Sequence, residues 1–74
     1  MKKQSRMWAE VIRPAMIKQK IFKQKSLAEK AGVSKATIIN LKYHPERVLL
    51  DTTAKVAGVL KVNIALLIMY RERQ

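Results

Sequence analysis

The sequence predicts an all-α fold, a compact bundle of about five short helices arranged around one tight helical pair. Three observations predict it. Apolar residues recur at spacings of three and four along most of the 74-residue chain, which is the periodicity of amphipathic helices. Residue types that start and stop helices (Gly32, Ser34, Pro45, Asp51, Asn63) fall between the apolar runs. No segment shows a convincing two-residue alternation; Val48-Leu49-Leu50 is strand-like in composition but has no partner segment. The length allows one domain and only a modest core.

Residues 1–6, MKKQSR, are polar and basic and are expected to form a flexible arm. A single domain is expected over residues 7–74. From Met7 to Phe22 the apolar positions follow helical spacing, with Trp8, Met16 and Phe22 assigned to the core. Pro14 interrupts this run, so the helix either stops near Arg13 and restarts or bends there. Lys23-Gln24-Lys25-Ser26 is a polar junction. Leu27–Ala31 is a short helix, Gly32-Val33-Ser34 a break, and Lys35 to Leu41 or Lys42 a second helix. Pro45 biases His44 away from helix and opens a loop through Arg47. Asp51 or Thr52 is expected to cap the fourth helix, with Gly58 a weak interior spot. Asn63 is expected to cap a last helix over residues 64–70.

Bulk charge narrows the functional classes. Sixteen Lys and Arg stand against five Asp and Glu, a formal +11, and twelve of the sixteen lie at or before Arg47. The sequence pI of about 10.5 marks a polyanion-binding footprint without choosing the polyanion. There is no cysteine and only one histidine, His44. Disulfides, thiolate sites and metal or other cofactors are therefore not expected. No carboxylate pair or nucleophile–base set points to an enzyme. The longest apolar run, Ile64-Ala-Leu-Leu-Ile-Met-Tyr70, is too short for a membrane span, and the N-terminus lacks an apolar core and cleavage site. The chain reads as cytoplasmic, with neither a membrane nor a small molecule as partner.

The segment Gln24–Leu41 meets, in order, the demands of two short helices crossing steeply. Leu27 and Ala31 supply apolar contacts one turn apart, and Ala28 is small where the helices approach. Gly32 accepts the positive φ of a sharp turn. Val33 plugs the turn, Ser34 caps the second helix, and Ile38 and Leu41 hold it against the first. Each feature is weak alone; together they specify a helix-turn-helix spanning residues 24–41.

Leu27-Ala28-Glu-Lys-Ala-Gly32-Val33-Ser34, followed by Ile38 and Leu41, resembles the helix-turn-helix of the lambda-repressor and Cro family of phage and bacterial regulators. Ala-Gly-Val-Ser-Lys-Ala-Thr also resembles the lactose-repressor headpiece, although the long segment before Gln24 suits the Cro-type arrangement better. Leu50–Val62 is similar to the family's fourth helix, so the resemblance covers about residues 16–67. The sequence departs from the family in having Lys42-Tyr43-His44-Pro45 where many members carry Glu-x-Gly, and in Pro14 and Gly58.

The resemblance implies a recognition helix in the DNA major groove. Its face opposite Ile38 and Leu41 carries Lys35, Ala36, Thr37, Ile39 and Asn40, the expected base-contacting residues. Lys35 suits guanine, Asn40 suits adenine, and Ala36 and the Thr37 methyl suit a thymine methyl. Gln24 matches the family's glutamine at the start of the first motif helix, where a phosphate is met. Lys23, Lys25, Ser34, Lys42, Tyr43 and His44 flank that surface as further expected phosphate contacts. The C-terminal helix is apolar on nearly all sides, so Leu66, Ile68, Met69 and Tyr70 are expected to help form a homodimer. The expected partner is a palindromic double-stranded operator, and the expected function is Cro-like repression. Two rivals remain: an antitoxin-type DNA-binding and protein-interaction module, and a nonspecific nucleic-acid-binding protein. The 5% aromatic content is low for the stacking platforms of single-strand binders.

Overall fold

A computed structural model describes residues 3–72; Met1 and Lys2 of the expected arm and Arg73 and Gln74 lie outside the described residues. Within the expected arm, Ser5 is buried. Its Oγ accepts the Trp8 N–H at 3.1 Å and caps the first helical turn. The same hydroxyl donates to the Leu41 carbonyl at 3.1 Å, and the Ser5 N–H donates to the Lys42 carbonyl at 2.7 Å. The chain is thus anchored from Ser5 onward.

The first helix carries Pro14 through a change of register. A π-helical stretch, Trp8–Ile12, runs into α1, Arg13–Lys18, and the Arg13 N–H reaches back five residues to the Trp8 carbonyl. Pro14 then sits in the first turn of α1, where its missing N–H is tolerated. In an ordinary α-turn its ring would press on the carbonyl four residues back; the wider π turn gives that carbonyl room. The helix therefore continues through Pro14 without stopping.

α2 spans Gln24–Ala31 and α3 spans Lys35–Tyr43. The polar junction expected at Lys23–Ser26 is largely the first turn of α2. A single 3-10 turn, Pro45–Arg47, leads to α4, Leu50–Leu60, and α5, Ile64–Glu72. No strand forms among the described residues; Val48 is buried after the 3-10 turn and Leu50 already begins α4. The expected cap at Asp51 or Thr52 is displaced: Leu49 occupies the cap position with no side-chain bond. The Thr53 hydroxyl donates to the Leu49 carbonyl at 3.1 Å, and Asp51 lies in the first turn, where a carboxylate favours the helix dipole. Asn63 does cap α5, its Oδ1 accepting the Ala65 N–H at 2.9 Å.

α1, α2 and α4 close with the same device. Lys20, Gly32 and Lys61 take left-handed φ values of 60°, 69° and 57°. The next residue then donates to a carbonyl five back: Ile21 to Met16, Val33 to Ala28 and Val62 to Ala57. In each case the donor is apolar and turns toward the core; Ile21 is buried, and Val33 and Val62 pack against it.

The core joins all five helices. Ile12, Leu27, Ile38, Leu41, Val56, Leu60 and Leu67 are almost wholly buried, and the buried polar side chains all have partners. Trp8 and Met16 belong to this core as expected, but Phe22 does not: it is 74% exposed. The turn at Lys20 sends Ile21 inward, and the next residue points out. On the surface, Arg6 bonds Glu10 at 2.8 Å and holds its carboxyl below the usual carboxylate range. The Tyr70 hydroxyl donates to the same carboxylate at 3.2 Å, pinning α5 to the first helix.

Candidate nucleic-acid interface

The site grows out of the turn between α2 and α3. Gly32 ends α2 in the left-handed region; its N–H bonds the Glu29 carbonyl and Val33 bonds the Ala28 carbonyl, at 3.2 and 3.0 Å. A Cβ built on Gly32 would meet no atom within 4 Å. The requirement for glycine here is therefore one of backbone angle, not of space. Two residues on, Ser34 caps α3, its Oγ accepting the Thr37 N–H at 3.2 Å and lying 3.0 Å from the Thr37 hydroxyl.

α3 is held by Ile38 and Leu41, both fully buried. At about 100° per residue, the face opposite them centres on Ala36 and Tyr43, with Lys35 and Ile39 on one flank and Asn40 on the other. The burial pattern agrees. Lys35, Ala36 and Ile39 are exposed, and Thr37, Asn40 and Tyr43 are half-buried. Ile39 leaves 41% of its surface in solvent, although it is a large aliphatic side chain. The structure thus brings four of the five expected base-contacting residues, Lys35, Ala36, Ile39 and Asn40, to one face, while Thr37 lies half-buried nearer the core side, its hydroxyl 3.0 Å from Ser34 Oγ.

A protein-family model for the Cro/C1-type HTH DNA-binding domain matches residues 11–71. The chain belongs to the Cro/C1-type HTH family. It is a DNA-binding protein of the transcription-regulator class. Searches of curated proteins and of solved structures found no match.

In this Cro/C1-type domain the expected phosphate contacts fall in two groups. Lys23, Gln24 and Lys25 form the start of α2, which has no capping side chain. Its first N–H groups are therefore left without a capping side chain at the positive end of the helix dipole, where an anion is favoured. Ser34, Lys42, Tyr43 and His44 lie at the two ends of α3. Lys42 Nζ stands 5.8 Å from the Trp8 ring and 5.4 Å from the Tyr43 ring. Its ammonium thus lies over both aromatic rings at cation–π distance. His44 Nδ1 lies 3.7 Å from Glu46 Oε2.

The structure adds residues that the sequence did not single out. A shallow recess beside α3 is lined by Thr37, Asn40, Arg47, Val48, Leu49 and Thr52. The sequence marks Arg47 only as charge, and Leu49, 73% exposed, only as part of a strand-like run. A larger cleft on the other side joins Gln4, Trp8, Arg13, Ile17 and Phe22 to Gln24 and Lys42. The outward turn of Phe22 makes it part of the wall of this cleft.

The four residues expected at a dimer contact divide. Leu66 and Met69 are 38% and 46% exposed. Ile68 and Tyr70 are half-buried, and Tyr70 packs on its own core as well as bonding Glu10. No helix among the described residues is long and apolar enough to cross a membrane.

Proposed function

We propose that the protein is a sequence-specific transcriptional repressor of phage or mobile-element origin, acting in the bacterial cytoplasm or nucleoid. It binds a palindromic operator as a dimer. The observation that carries this reading is the ridge on α3. Lys35, Ala36, Ile39 and Asn40 project from a helix whose other face is locked into the core. In the proposal these residues, with Thr37, meet base edges. Lys23, Gln24, Lys25, Ser34, Lys42, Tyr43 and His44 grip phosphates, and Leu66 and Met69, with parts of Ile68 and Tyr70, meet a second copy. In the proposal, repression follows from occluding a promoter.

Footprinting on the DNA flanking the protein's own gene is expected to give a protected palindrome. Its half-sites should lie about one helical turn apart, roughly 34 Å. Lys35→Ala and Asn40→Ala are each expected to weaken that complex by about 1–3 kcal/mol and to relax selectivity at one base pair. Their thermal melts should match the parent, because Lys35 is exposed, Asn40 is half-buried, and neither belongs to the core. Equal affinity for the protected sequence and for random duplex defeats the proposal.

A further inference from the structure

The chemistry of the α3 ridge is unusual for a surface that reads hydrogen-bonding edges. Lys35 at its head and Asn40 on its flank carry donors or acceptors. Between them, Ala36 and Ile39 carry none, yet both are exposed. Thr37 adds little polar reach, because its hydroxyl lies 3.0 Å from Ser34 Oγ within the helix cap. Its methyl is the end left over. Tyr43, on the same centre line, stands about two turns further on at the carboxyl end of α3, so it is the amino-terminal half of the ridge that offers carbon at its centre. Ala36 is also the smallest side chain available there other than hydrogen, so the helix axis can approach a groove floor closely.

In the major groove, apolar contact identifies one feature of a base pair, the methyl group on C5 of a pyrimidine. We propose that Ala36 and Ile39 form a methyl-reading stripe, so that affinity for the operator depends on pyrimidine 5-methyl groups facing the middle of α3. This rests on the reading of α3 as the groove-binding helix and specifies what its centre recognises. Thymine presents the group in unmodified DNA, and 5-methylcytosine presents it in modified DNA. In this half of the ridge, polar readout is confined to the Lys35 and Asn40 positions, on either side of the stripe.

The test alters the DNA, so it does not depend on a variant folding. The tightest duplex is selected from a random library with the full-length protein, and each thymine is replaced singly by deoxyuridine, which removes only the methyl. At one or two positions per half-site, affinity is expected to fall about fourfold, the weight of one buried methyl-sized group. With Ile39→Ala the parent duplex should bind more weakly, and the thymine-to-uracil ratio at one of those positions should shrink toward one. Ile39 is outside the core, so a thermal melt like the parent's is expected. A second arm places cytosine or 5-methylcytosine at the sensitive position. Tighter binding to the methylated base assigns recognition to the methyl from either source, and equal binding confines it to thymine. If a preferred duplex exists and no uracil substitution weakens it, the methyl stripe is wrong while sequence-specific binding stands. Ile39 is then left as a surface for a protein contact. If no duplex is preferred over random sequence, the proposed function falls and the stripe falls with it.

Discussion

Gly32 and Lys61 occupy nearly the same backbone conformation, at φ 69° and 57°, with opposite consequences for substitution. For an L-residue the left-handed region costs roughly 1–2 kcal/mol because Cβ crowds the following carbonyl. Gly32 avoids that strain and Lys61 bears it. The space around Gly32 is open, so no steric clash confuses the comparison. Gly32→Ala is expected to destabilise the protein by about 1–2 kcal/mol, and Gly32→Val, β-branched, by more. A 74-residue domain has little reserve, so Gly32→Val is expected to unfold at room temperature. Lys61→Gly is expected to stabilise by under about 1 kcal/mol, because part of the relieved strain is offset by losing a cation at a helix C-terminus. Urea titrations of the three variants check this. A Gly32→Ala midpoint equal to the parent's would show that the turn does not depend on positive φ.

Among the elements, those governed by neighbours in sequence were legible and those governed by distant ones were not. The turn from α2 to α3 was readable because Gly32, Val33 and Ser34 act on residues within one turn of themselves. The same holds for Asn63 at the start of α5. Lysine carries no signal for left-handed backbone, so the ends at Lys20 and Lys61 were invisible, and with them the outward turn of Phe22. Pro14 announced a disturbance but not its resolution, since a π turn depends on how the flanking residues pack. The recess that gathers Arg47, Leu49 and Thr52 beside Asn40 needed the fold itself. Ser5 is the clearest case: its partners at Leu41 and Lys42 lie far along the chain. One serine thereby caps the first helix and satisfies two carbonyls at the end of α3. Ser5→Ala removes the acceptor for the Trp8 N–H and the donor to Leu41. It is expected to cost about 1–2 kcal/mol, lowering the thermal midpoint by about 5–10 °C. Ser5→Thr, which keeps the hydroxyl, is expected to recover part of this. A Ser5→Ala melt identical to the parent's would mean that the anchor contributes nothing.

At the scale of the whole molecule the formal charge of +11 acts in opposite senses on stability and on binding. Packed into a body 28 × 27 × 20 Å across, the charges of the described residues lie within a few Debye lengths of one another. The Debye length is about 8 Å at physiological ionic strength and longer in dilute buffer. Self-repulsion therefore works against the compact free protein, and Arg6–Glu10 is its only short ion pair between Lys or Arg and a carboxylate among the described residues. On DNA the same charges displace condensed counterions, which makes binding strongest at low salt. Raising NaCl from about 50 to about 200 mM is expected to raise the thermal midpoint of the free protein. The same change is expected to weaken the operator complex by about 10³-fold or more, the range for six to ten phosphate contacts. A hydrophobically held complex would instead change little with salt, and a fold that depended on surface ion pairs would melt earlier as salt rose. Thermal melts and binding isotherms across one salt series distinguish these cases. If the two curves moved together, the charge would not be serving the DNA interface.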